Sequence, residues 1–381
     1  MGYNRLMVKE NYGFMRYNWQ HPDWPQFKYD LSDIQDVIYR YVMDAGLLAG
    51  GLGQLPDDVQ DETIIDIMVS EALKSSEIEG ERIDYEDIRS SIRKELGIPY
   101  SHVVRDARAS GIAKLMVSLN QTFREPLTKQ QLFDWHVMLL SDPKQRKGID
   151  VGMWRRDSEP MQIVSGPVGH EIVHFQAPPS ERVPQEMAKF IEWFNMSAQA
   201  QIAGIVRAAI AHVYFESIHP FGDGNGRIGR AISEKALSQE FGRPVLFSLS
   251  TTIQANKKEY YAQLSRASHC DLDITPWISY FVKTVYQAQL DAKKRLEFVV
   301  DKTKFWKKFE HLLNERQEKV IARMFEAGES GFVRGMNAAK YISIAKCSKA
   351  TATRDLAELL GLGCLVKLPG GGRSTRYALS I

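Results

Sequence analysis

Between two stretches with helical spacing, this chain carries the nine residues His219-Pro220-Phe221-Gly222-Asp223-Gly224-Asn225-Gly226-Arg227. The run before them ends at Ile218, and a further amphipathic run begins at Gly226 or Arg227. The loop therefore delivers its N–H groups at a helix N-terminus, a ready anion site. Gly222, Gly224 and Gly226 allow positive φ and close approach of backbone to a phosphate. Asp223 is a hard oxygen ligand suited to Mg²⁺ shared with substrate phosphates. Arg227 and Arg230 stand at i and i+3 on one helix face, where two guanidinium forks can hold further phosphate oxygens. Phe221 is expected to plug the loop into the core, leaving His219 facing the site as a candidate general base. The glycines alone would mark only a turn. With a His, an Asp, an Asn and two Arg in register, the segment is a candidate site for nucleotide chemistry.

This stretch resembles the signature loop of the Fic family, H-x-F-x-[DE]-[AG]-N-[GK]-R, and matches it at every constrained position. The resemblance extends over roughly residues 60–300. It implies a mostly α fold: a Fic-type helical bundle with a β-hairpin flap. It also implies transfer of AMP from ATP to a Ser, Thr or Tyr hydroxyl of a protein, with release of pyrophosphate. In those terms His219 is the base, Asp223 the Mg²⁺ ligand, and Gly224-Asn225-Gly226 the phosphate cradle. Arg227 and Arg230 would bind the β and γ phosphates. Gly226 favours nucleotidyl transfer, because a family branch with Lys there acts as protein kinases.

Upstream, Gln162-Ile163-Val164 and Glu171-Ile172-Val173-His174-Phe175 are β-prone runs around Ser165-Gly166-Pro167-Val168-Gly169, which reads as a hairpin. His170-Glu171-Ile172-Val173-His174 spells HExxH, a zinc pattern that works only on a helix. Gly166, Pro167 and Gly169 before it and Pro178-Pro179 after it leave too little room for one. In a strand the two histidines lie roughly 13 Å apart, so the zinc reading is rejected. The segment instead resembles the Fic flap, which aligns a target segment by adding it as a strand. The resemblance implies that Val173, His174, Phe175 and Gln176 border the nucleotide. Gly152-Met153-Trp154-Arg155 resembles a structural G-x-[WY]-R segment of the family. Tyr260-Tyr261 resembles a tyrosine pair whose first member, Tyr260, lines the adenine pocket. The Asn often found eight residues later is Ser268 here.

A second helical run closes on Ser75-Ser76-Glu77-Ile78-Glu79-Gly80. Ser75 and Glu79 share a face, so the acid could reach an arginine of the phosphate site; an ordinary solvated helix end reads the same way. The segment resembles the inhibitory motif [ST]-x-x-x-E-[GN], matched by Ser75, Glu79 and Gly80. It implies that Glu79 pairs with Arg230 at the nucleotide site and blocks productive γ-phosphate placement. This defines the N-terminally autoinhibited class.

At 381 residues with 44% apolar content, the chain is long enough for two or three units with real cores. The reading divides it into an N-terminal arm and helical region carrying the inhibitory helix (1–100), a Fic core (101–300) and a terminal unit (301–381). Helical spacing covers 31–48, 61–78, 85–96, 107–119, 129–140, 183–194, 200–218 and 226–241, with a long helix after Tyr280 running toward Val300. Gly50-Gly51-Leu52-Gly53 is expected to break the first, and Thr128 to cap the fifth. Trp19-Gln20-His21-Pro22-Asp23-Trp24-Pro25 reads as an extended, packed arm. Three cysteines, Cys270, Cys347 and Cys364, form no CxxC pair and suit a reducing cytosol. The first ten residues lack a signal-type apolar stretch, Met15 offers an alternative start, and no run spans a membrane, so a cytoplasmic protein is expected.

Residues 301–381 hold 15 Lys/Arg against 8 Asp/Glu, while the rest of the chain is net acidic. Runs at 317–325, 338–344 and 349–360, then a hairpin of 365–368 and 376–379 around Pro369-Gly370-Gly371-Gly372, give a winged helix-turn-helix layout. Lys349, Thr351, Thr353 and Arg354 lie on the candidate recognition helix; Lys367, Arg373 and Arg376 decorate the wing. These could contact DNA phosphates. Equally, such a unit serves as a homodimer or protein-docking module, and Asp355 and Glu358 dilute the helix's charge. The leading expectation is therefore an AMP-transferase using ATP and Mg²⁺ on a protein hydroxyl. The alternatives are a deAMPylase, another nucleotidyl or phosphoryl transferase, or a DNA-binding regulator that only senses nucleotide. The intact His219 argues against a pure sensor.

Overall fold

The computed structural model of the chain describes residues 16–143, 148–165, 172–269, 271–328, 331, 332, 334–369 and 375–381. Met15, the segment with His170 and Glu171, Cys270, and the segment with Arg373 lie outside the described residues. The chain divides into two compact units. The larger comprises the described residues up to Met43 together with Asp61–Gln289; the smaller comprises Asp44–Gln60 and Leu290–Ile381. Among the described residues no helix is long and apolar enough to cross a membrane.

The helices in chain order are α1 Gln35–Leu52, α2 Asp57–Ile78, α3 Tyr85–Glu95, α4 Ala107–Thr122, α5 Lys129–Leu139, α6 Val183–Ser197, α7 Gly204–Ile218, α8 Asn225–Phe241, α9 Leu249–Ala255, α10 Lys257–Ala267, α11 Thr275–Phe309, α12 Glu315–Phe325, α13 Ala338–Ala345 and α14 Lys349–Gly361. Thr128 caps α5 as expected, its hydroxyl accepting from Gln131 N–H at 3.1 Å. The glycines at 50 and 51 do not break α1, which continues to Leu52. Helices α9 and α10 carry too little apolar periodicity to stand out in the sequence. The first is set by its cap: Ser248 accepts from Thr251 N–H. The buried Glu71 accepts from Ser248 Oγ and from Ser250.

Helix α7 is the axis of the larger unit: every residue from Gly204 to Ile218 is buried. Its polar side chains must then find partners inside. Arg207 donates to Phe194 O, Ser197 Oγ and Gln239 Oε1. His212 is held by Ser233 Oγ at 3.0 Å and the Tyr260 hydroxyl at 2.8 Å. Helix α8 packs along α7 at Gly229, where an added Cβ would collide with Glu216.

Two strands, β1 Gln162–Ser165 and β2 Ile172–Gln176, pair antiparallel with a bulge between Ile163 and Val164. His174 therefore sits on a strand and not on a helix, while the His170 of the same pattern lies outside the described residues. The N-terminal arm is not extended. It turns through a short 3₁₀ segment, Asn18–Gln20. It braces the hairpin: Trp19 Nε1 donates to Gln176 O at 2.7 Å, and Asn18 Nδ2 to Ser217 Oγ at 2.8 Å.

In the smaller unit, α12, α13, α14 and the hairpin of β3 Leu365–Lys367 and β4 Tyr377–Leu379 enclose a core that includes Val320, Ile321, Tyr341, Leu356 and Leu359. One expectation is corrected here. Asp355 does not dilute the outward charge of α14; it is buried, accepting from Tyr341 OH at 3.0 Å and Arg316 Nε at 3.2 Å. Glu358 is likewise engaged, by Gln317 Nε2 at 2.9 Å. Glu358 itself stays exposed, as do Lys349, Thr353 and Arg354.

Candidate active site

The loop between α7 and α8 is fixed from below. Phe221 is fully buried and stacks on His136 at 4.1 Å, with Trp154 at 5.1 Å. Asn225 closes the loop on itself: Phe221 N–H donates to its Oδ1 at 3.0 Å, and its Nδ2 donates to Phe221 O at 2.8 Å. Its side chain is thus consumed by the loop, and what it offers a ligand is its backbone N–H. Gly224 is left-handed (φ 80°) and no side-chain oxygen caps α8, so the first N–H groups of the helix face the site. Buried Arg155 anchors the entry. Its Nε donates to His219 O at 2.8 Å, its backbone N–H to Pro220 O at 2.9 Å, and its guanidinium also reaches Pro178 O and Ser180 Oγ. Burial lowers its pKa to about 10. One side chain thus ties the loop to the end of the hairpin.

His219 caps α7 with left-handed backbone (φ 49°, ψ 61°). Its Nδ1 lies 3.6 Å from Glu216 Oε2, too long for a hydrogen bond but within ion-pair reach. Burial works to raise the Glu216 pKa, yet His219, His212 and Arg230 together hold it below the usual value. Among the described residues Nδ1 makes no hydrogen bond, and the Glu216 carboxylate is the acid beside it. His136, under the loop, has its pKa lowered to about 4 by burial and accepts from Gly152 N–H at 3.0 Å.

Arg227 and Arg230 are almost wholly buried, so each charge needs a partner. Arg230 takes three contacts from the end of α2. Nε donates to Ser75 Oγ and Nη2 to Ser75 O, both at 2.9 Å, and Nη1 pairs with Glu79 Oε1 at 2.8 Å. Burial disfavours its charge, but Glu79 leads the opposing effects and its pKa is raised. The Glu79 carboxylate lies directly over the first turn of α8. A Cβ added at Gly226 would collide with Glu79 Oε1 and Cδ. Arg227 Nη1 pairs with Glu81 Oε2 at 2.9 Å, and Nη2 lies 3.7 Å from Asp223. Between the two acids Gly80 takes φ 84° in a reversal closed by Glu81 N–H on Ser76 O at 3.0 Å.

The structure thus brings His219, Asp223, Gly224, Asn225, Gly226, Arg227, Arg230, Ser75, Glu79 and Gly80 together. It does not bring Tyr260 to the surface of the site: the ring is 1% exposed and its hydroxyl is on His212. Its neighbour Tyr261 is 40% exposed and donates to Ile78 O at 3.3 Å. Phe175 also turns inward, onto Tyr17 at 5.2 Å. Val173 and Gln176 are half-buried and accept from Arg16 and Trp19 through their carbonyls. The sequence reading missed Glu81, Glu216 and His136. Glu216 carried a signal, three residues before His219 on one helix face. Glu81 carried none, because its reach depends on the backbone at Gly80.

Residues 126–237 match the model of the Fic/DOC family, and residues 17–98 match a domain of unknown function (DUF4172). The chain carries a Fic domain. Protein adenylyltransferase fic-1 of Caenorhabditis briggsae is 34% identical over 103 residues, 27% of this chain and 19% of that protein. Protein adenylyltransferase Fic of Nematostella vectensis is 24% identical over 222 residues, 57% of this chain and 47% of that one. The matches thus cover less than half the length of these relatives. A solved Fic family protein from Desulfovibrio desulfuricans G20 shares the fold, with a TM-score of 0.51 and 20% identity over 91% of this chain and 96% of that one.

Proposed function

We propose that this protein is an adenylyltransferase that moves AMP from ATP to a Ser, Thr or Tyr hydroxyl of a protein, and that its own Glu79 holds it off. The observation that carries this is a single arrangement. An imidazole backed by a buried carboxylate stands at the mouth of an uncapped helix N-terminus whose two buried arginines are filled by acids.

His219 Nε2 takes the proton of the acceptor hydroxyl, and Glu216 stabilises the resulting imidazolium. The hydroxyl oxygen forms a bond to the α phosphorus, the bond to the bridging oxygen breaks, and pyrophosphate leaves. Backbone N–H groups at Asn225, Gly226 and Arg227 receive phosphate oxygens, and the guanidiniums hold the departing charge. Asp223 fits a Mg²⁺ role, as a half-exposed carboxylate beside this N-terminus. The ion, when bound, would neutralise phosphate charge. The hairpin aligns the acceptor segment by backbone pairing. Glu79 on Arg230 occupies space that a phosphate needs.

Labelled ATP with Mg²⁺ tests this. Glu79→Gly is expected to raise self-labelling, and His219→Ala to abolish transfer while sparing ATP binding. Mass spectrometry of a labelled partner in lysate must show added AMP; added phosphate, or removal of AMP from a modified partner, would replace this reading. Unchanged labelling in a folded, ATP-binding Glu79→Gly variant would remove the brake.

A second reading concerns the smaller unit, which we take as a winged helix-turn-helix that binds duplex DNA. The inward turn of Asp355 supports it, since that acid no longer opposes the exposed Lys349 and Arg354. DNA binding that falls steeply with salt, and is lost in Lys349→Glu/Arg354→Glu, is expected. No binding even at low salt would leave protein docking or self-association.

A further inference from the structure

The inhibitory turn carries two acids, and both are engaged. Glu79 lies on Arg230 at 2.8 Å and Glu81 on Arg227 at 2.9 Å. The guanidiniums sit at i and i+3 of α8, on the face that opens its N-terminus. Residues two apart in regular backbone do not converge on one helix face. These do because Gly80 is left-handed (φ 84°). The side chain of Arg227 is 3% exposed and that of Glu81 16%, so this pair is not a solvated surface contact. Asp223 is a second carboxylate near Arg227, at 3.7 Å.

We propose that Glu81 is a second specificity-determining competitor at this site. Glu79 and Glu81 stand where two linked phosphoryl groups would bind, so a ligand must carry a diphosphate to displace both. A single phosphate exchanges for one carboxylate and leaves the other in place. A pyrophosphate unit replaces both at once, with the turn leaving as a piece about Gly80. This deepens the adenylyltransferase reading and rests on its phosphate site, but it concerns which polyphosphates enter rather than which bond is made.

The test is calorimetric titration of the full chain with inorganic pyrophosphate, ADP and orthophosphate. Wild type is compared with Glu79→Gln, Glu81→Gln and the double variant. Glu81→Gln is expected to tighten pyrophosphate and ADP by roughly ten-fold, the scale of one charge-assisted contact no longer opposed. The double variant is expected to exceed either single one. Glu81→Asp keeps the charge, shortens the reach, and should fall between. Unchanged or weaker pyrophosphate binding in folded Glu81→Gln overturns the proposal, because Glu81 would then be positioning Arg227 rather than competing for it. Tightening in these variants without any AMP transfer from ATP would leave the competition standing and remove the function reading instead.

Discussion

Arg230 points two of its nitrogens back at one residue, Ser75, reaching its hydroxyl and its carbonyl at 2.9 Å each. Glu79 takes the third nitrogen. The proposed brake is therefore a clamp on one guanidinium, from Ser75 in the last turn of α2 and Glu79 just beyond it.

Ser75→Ala removes the hydroxyl and leaves Arg230 Nε unsatisfied in a buried place. A loss of about 1–2 kcal/mol in unfolding free energy is expected. Self-labelling should rise, by less than in Glu79→Gly, because the carbonyl contact and the ion pair persist. Urea unfolding beside a labelling time course checks both.

Gly226→Ala puts a methyl group into the Glu79 carboxylate. In the wild-type background it should lower the melting temperature. In the Glu79→Gly background the collision is gone, so the same change should cost distinctly less. A double-mutant cycle of melting temperatures measures the difference. Additive effects would mean that Glu79 does not lie over Gly226.

Asn225→Asp keeps the acceptor for Phe221 N–H but sets a carboxylate oxygen against Phe221 O, where an amide donated. About 2 kcal/mol or more of stability should be lost at neutral pH, with nucleotide binding weakened by loosening of the loop. Circular dichroism melts and nucleotide titration report the two effects.

Much of this is legible in the amino-acid sequence alone. The loop residues announced themselves because they are chemically unusual and adjacent in sequence. The helices showed wherever apolar residues recur at helical spacing; even α7, buried on every side, reads as a helix over 200–218. What escaped was of two kinds. Glu81 and Asp355 have ordinary identities, and only backbone direction decides whether they face solvent or an arginine. The resemblance implied Tyr260 and Phe175 at the nucleotide, but burial turns their rings into the core. A side chain's facing depends on packing, which spacing alone does not record.

His212 supplies a pH test. It is fully buried, and burial lowers its pKa from 6.5 to about 4. The unfolded chain therefore binds more protons between those values, so this histidine lowers stability as pH falls through 6.5, levelling off below about 4. The effect is at most about 3 kcal/mol. Comparing unfolding free energies at pH 7 and 4.5 for wild type and His212→Gln should show a shallower loss in the variant. Equal slopes would mean that His212 is not held neutral.

The left-handed backbone at His219 has its own consequence for how the chemistry can be dissected. Alanine there deletes the imidazole and also bears a conformation that side chains other than Asn, Asp and Gly adopt at a cost, about 1 kcal/mol. Asparagine tolerates the same φ and carries no base. Were alanine to inactivate the protein while asparagine left it active, the loss would belong to the shape of the loop rather than to the proton. If the two fall together, the imidazole itself is what the reaction uses.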